Sequence, residues 1–75
     1  MTNYRKLAKR LWPDHCWISG NGPIAVVAYC RITSVTLWWD EDAAAAARAD
    51  IDRTACGGLC VGRHETVDLR ALVSA

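Results

Sequence analysis

No stretch of this sequence stays apolar for the ~20 residues that a bilayer crossing needs. The basic opening MTNYRKLAKRLW is never followed by the apolar run of a secretory signal. Both absences lead to the expectation of a cytoplasmic protein. Thiols stay reduced there, so the four cysteines point to metal binding or catalysis rather than to disulfides. In a secreted chain they could pair in three ways that the sequence does not separate. Phenylalanine is absent, and Trp12, Trp17, Trp38 and Trp39 take the large aromatic positions. An excess of one charge is missing too: the net charge is +1, short of what a dedicated nucleic-acid binder carries. Without repeats or linkers, the 75 residues make one domain, with a basic helix over 1–13 and a core over 14–70. A chain this short buries barely enough apolar surface, and commonly adds a metal, a disulfide or a partner.

What is present divides into recognisable elements. In NYRKLAKRLW, Tyr4, Leu7, Ala8 and Leu11 fall at helical spacing, Asn3 is a suitable N-cap and Pro13 ends the run. The runs HCWIS (15–19), IAVVAYC (24–30) and VTLWW (35–39) read as strands, separated by the turn GNGP (20–23) and a bend near 31–34. The middle run is apolar on both faces, which suits a central strand. DEDAAAAARADIDRTA (40–55) is the clearest helix, with acids at its start, alanines within and Gly57 as its stop. Ala44, Ala47, Ile51 and Ala55 form its apolar stripe. ETVDL (65–69) alternates as a last strand, and the tail RALVSA is expected to fray. The expectation is an α+β fold in the order α-β-β-β-α-β. It has a small antiparallel or mixed sheet, made of a three-stranded meander and a C-terminal strand. One alanine-rich helix packs on it, a short amphipathic helix precedes it, and a metal site staples it.

This order makes the cysteines converge. A helix of ~15 residues at ~1.5 Å each spans slightly more than a five-residue strand at ~3.3 Å. It therefore returns Cys56 to the end of the sheet where Cys30 lies, and the first strand begins there with His15 and Cys16. In CGGLCVGRH (56–64), Cys56, Cys60 and His64 stand four residues apart, with Gly57 and Gly58 allowing a tight reversal. Zinc takes four tetrahedral thiolate or imidazole ligands, often at this kind of spacing. Cys56, Cys60 and His64 supply three; Cys30 is the expected fourth, ahead of Cys16 and then His15. Three thiolates on Zn²⁺ leave one negative charge, which Arg31, Arg53 and Arg63 beside the ligands can soften from outside the ligand shell.

The residues Cys30-Arg31, Ile51-Asp52 and Cys56-Gly57-Gly58-x-Cys60-x-x-x-His64-Glu65 resemble a group of small proteins of actinobacteria and their phages. The likeness spans roughly residues 17–69. It implies that Cys30 belongs with the loop ligands and Cys16 does not. It brings no activity with it, and implies a bacterial cytoplasm, or a host cytoplasm for a phage-encoded chain.

Three classes of function are open. Against an enzyme, the zinc deaminase pattern and HExxH are both absent. A Cys60–His64 nucleophile pair lacks an orienting residue, and Cys56 and Cys60 miss the CxxC redox spacing. A nucleic-acid module could use Arg5, Lys6, Lys9 and Arg10 of the first helix, with Arg31, Arg53 and Arg63, and stack bases on Trp12 or Trp17. Against it stand the near-neutral total and the acids Asp40, Glu41, Asp42, Asp50 and Asp52. The favoured expectation is a non-catalytic protein-interaction module held by one structural Zn²⁺. Its partner is an unidentified protein, and Trp38 is the exposed anchor.

Overall fold

The computed structural model describes residues 3–29, 33–54 and 63–73. These form α1 (Tyr4–Leu11), β1 (His15–Gly20), β2 (Ile24–Tyr29), β3 (Thr33–Trp38), α2 (Glu41–Thr54), β4 (Arg63–Asp68) and α3 (Leu69–Val73). Cys30, Arg31, Ala55, Cys56, Gly57, Gly58 and Cys60 lie outside the described residues.

The fold is α+β, with helices on both faces of a four-stranded mixed sheet. α1 starts as its sequence requires: the Asn3 side chain accepts from the Lys6 N–H at 3.1 Å, and the Asn3 carbonyl accepts from Leu7. It is a structural layer rather than an appendage, because Ala8 is fully buried and Trp12 nearly so. Together with Leu69 they pack against Ile18, Ala25, Val27, Val35 and Leu37 on one face of the sheet. On the other face Ala44 of α2 packs on Ile24 and Val26, flanked by Trp38 and Ile51. β2 is therefore buried on both sides, and it is central: it pairs antiparallel with β3 on one side and with β4 on the other.

The meander is not what forms. The sheet order is β1-β3-β2-β4, and β1 pairs parallel with β3 instead of forming a hairpin with β2. Two glycines show why. Gly20 has φ +80°, and a Cβ there would sit 2.2 Å from the Leu37 carbonyl oxygen. A Cβ on Gly22 would lie 2.2 Å from the backbone of Trp38. The segment 20–23 thus crosses over the end of β3 in backbone contact, and its glycines provide clearance rather than a two-residue turn. The tail differs as well. Leu69–Val73 is helical instead of frayed, because Leu69 is wholly buried and its N–H donates to the Pro23 carbonyl at 2.8 Å. Among the described residues no helix is long and apolar enough to cross a membrane.

Candidate metal centre

The strand register assembles one end of the sheet. His15 of β1 lies opposite Thr33 of β3, Thr33 opposite Tyr29 of β2, and Tyr29 opposite Arg63 of β4. These residues form a single row. Cys30 follows Tyr29 in the sequence and lies outside the described residues. His64 follows Arg63 and lies opposite Ala28, one step inside the row.

β alternation turns His64 towards α2. There its Nδ1 lies 2.8 Å from Asp52 Oδ1, and its side chain is only 9% exposed. Asp52 is held in turn by Arg48, whose Nε approaches both carboxylate oxygens at 3.2 Å and whose Nη1 reaches Thr66 Oγ1. The hydrogen bond from His64, and after it the Arg48 guanidinium, hold the Asp52 carboxyl below its usual range. Asp52, part of the Ile51-Asp52 likeness, was given no role at the site by sequence reasoning. It stands next to Ile51 on the expected apolar stripe, but its distance from His64 follows only from the α2–β4 packing. Asp52 and Thr66 also border an open groove between these two elements, with Ala45, Ala49 and Ile24 along it.

The other candidates fall as follows. Cys16 is exposed and free, and sits at the irregularity between His15 and Trp17 where the β1–β3 register shifts. His15 Nδ1 is engaged with the Trp12 carbonyl. Three strand spacings of ~4.8 Å put β1 roughly 14 Å from β4, so His15 and Cys16 stand on the edge strand opposite to the one that carries His64. Arg63 points to the face opposite His64, and its guanidinium lies 4.8 Å over the Tyr29 ring. Arg53 pairs with Asp50 at 2.6 Å. On that opposite face the Trp12 indole N–H donates to the Tyr29 hydroxyl, which donates to Glu65 at 2.7 Å. Burial first, then the Glu65 carboxylate, push the Tyr29 phenol above its ordinary pKa. Cys30, Cys56, Cys60 and Arg31 lie outside the described residues, and among those described no three metal-ligating side chains come together.

The proposed partner residues also divide. Trp38 does not stand free: even-numbered residues of β3 face α2, so its ring packs beside Ala44 and Ile51, and its buried Nε1 has no hydrogen-bond partner among the described residues. The exposed member of the pair is Trp39, 69% accessible, in a T-shaped arrangement with Tyr4 whose ring centroids are 6.2 Å apart. Arg5 is turned to β1, where it donates to the Ile18 carbonyl at 3.1 Å, while Lys6, Lys9 and Arg10 are exposed. No family model, curated protein or solved structure matches this chain.

Proposed function

We propose that the chain is a cytoplasmic, non-catalytic protein-interaction module in which Cys30, Cys56, Cys60 and His64 hold one structural Zn²⁺. The observation that carries this reading is the Asp52–His64 hydrogen bond. Histidines that ligate zinc almost always donate their second ring N–H to a carboxylate, a backbone carbonyl or water, which fixes the tautomer and raises the basicity of the ligating nitrogen. His64 Nδ1 has that partner, so Nε2 is the nitrogen assigned to the metal. The row of strand ends supports the rest of the ligand set. Tyr29 precedes Cys30 in the sequence, and Arg63 follows the segment that contains Cys56 and Cys60. When bound, the metal would tie this segment to the central strand and supply folding energy to a short chain. Arg48 offsets the charge of Asp52, so the carboxylate adds little to the negative charge of a Cys3His centre.

Metal content and thiol reactivity on protein purified without added metal test this. The expected result is one zinc per chain, with Cys16 the only thiol that reacts before a chelator is added. Absence of metal with all four cysteines reactive would overturn it.

The same hydrogen bond favours a second reading, because Asp52 is the orienting residue that a Cys60–His64 nucleophile pair would need. Metal-free protein in which Cys60 alone is alkylated far faster than the other cysteines would select that reading instead.

A further inference from the structure

α1 packs on β1 and β3 on one face of the sheet, and α2 packs on β2 and β4 on the other, so the opposite charges of the two helices do not meet within the fold. Three of the four acids of α2 have ion-pair partners: Glu41 has Arg70, Asp50 has Arg53, and Asp52 has Arg48 and His64. α1 is the reverse case. Lys6, Lys9 and Arg10 are exposed, no acid shares their helix, and none of them makes an ion pair with a described residue. A near-zero net charge therefore hides a locally cationic face.

Beside that face lies a cleft of about 210 Å³ between α1 and α3, lined by Asn3, Lys6, Leu7, Arg10 and Val73. Small-molecule sites span roughly 300–1,000 Å³, so this one has room for an anchoring side chain rather than a cofactor. Its walls are mixed. Lys6 and Arg10, one helical turn apart, supply charge, while Leu7 and the half-exposed Val73 supply an aliphatic surface. Among the described residues no aromatic ring lines it, which disfavours base stacking. Membrane insertion is disfavoured too, because the apolar side of α1 faces the sheet and Ala8 is fully buried.

We propose that this cleft binds an acidic peptide segment of a partner protein. One aliphatic side chain of the peptide seats between Leu7 and Val73, and its flanking carboxylates meet Lys6 and Arg10. The proposal rests on the interaction-module reading above and names the chemistry of its partner.

The test is fluorescence anisotropy on the full chain as purified, with metal content measured on the same samples. The probes are a labelled peptide of Asp and Glu with one central Leu, the same peptide with Ala at its centre, and an oligothymidylate of equal charge. The Leu peptide should bind about tenfold more tightly than the Ala peptide, as burial of a side chain predicts. It should also bind more tightly than the oligonucleotide and weaken with salt. The double variant Lys6→Glu/Arg10→Glu and the separate variant Val73→Ser alter exposed positions and should each lower affinity for the Leu peptide, the first by about tenfold or more. Equal binding of the two peptides, tighter binding of the oligonucleotide, or no binding of any probe would overturn the cleft. Leu-peptide binding that survives both variants would overturn it too, while leaving an interaction role at some other surface. Zinc content unchanged across the variants separates each of these failures from failure of the metal centre.

Discussion

Asp52→Asn is the substitution that separates a positioned histidine from one that merely packs. The isosteric amide keeps the shape of the side chain but gives up the charge that holds the His64 Nδ1–H, and weakens the contact with Arg48. Loss of such a carboxylate behind a ligating histidine typically lowers metal affinity 10- to 100-fold, and that range is expected here. The metal-free protein should unfold much like the parent, because the Asp52 side chain is half exposed and its pair with Arg48 is screened by solvent. Competition against a chromogenic chelator, under reducing conditions at fixed pH, reads the affinity directly. Arg48→Gln should fall between the parent and Asp52→Asn, since it loosens the carboxylate without removing it. Asp42→Asn, at the far end of the same helix, should leave affinity unchanged and controls for net charge. Parental zinc affinity in Asp52→Asn would refute the positioning role.

The remaining predictions concern the fold and its titration. Gly22→Ala places a Cβ against the backbone of Trp38 at 2.2 Å, where no flexible side chain can yield, and should cost about 3 kcal/mol or more in urea unfolding; parental stability would mean that the crossover over β3 is wrong. Leu69→Ala should cost about 2–5 kcal/mol, as truncation of a wholly buried leucine does, while Leu72→Ala three residues on should change stability by less than about 0.5 kcal/mol. Equal, small effects from both would return the tail to a frayed end. Hydrogen bonds from Arg70 hold the Asp68 carboxyl below its ordinary pKa. The folded value is depressed, so the stability it contributes is present above the unfolded carboxylate pKa of about 3.9 and is lost as pH falls through the folded value. In Arg70→Gln, NMR titration should find Asp68 back near the ordinary value; an unchanged titration would contradict the assignment.

The elements that depend on local chemistry were legible in the sequence. Asn3 and Pro13 bound α1, the apolar run 24–29 on both faces marked β2 as central, and the alanine-rich segment became α2. What depended on pairing was not. Asn21-Gly22 between two strand-like runs is among the strongest short-range hairpin signals. Here the same glycine serves a close backbone crossing, and nothing local to residues 20–23 distinguishes the two uses. The direction of the strands was nonetheless readable: β1 runs antiparallel to β2 without touching it, so His15 still begins at the end where β2 finishes. Asp52 was illegible for a related reason. Its role comes from α2 crossing β4, a contact between residues 12 apart in sequence. Trp38 was expected to be exposed, but that α2 covers it and leaves Trp39 out depended on the register of β3 against β2.

X-ray absorption at the zinc edge, on protein purified without added metal, tests the central claim most directly. The account predicts a four-coordinate shell of three sulfurs at about 2.3 Å and one imidazole nitrogen at about 2.0–2.1 Å, with the nitrogen lost in His64→Ala. An absent edge, a shell of oxygen and nitrogen alone, or a shell that His64→Ala leaves unchanged would contradict it.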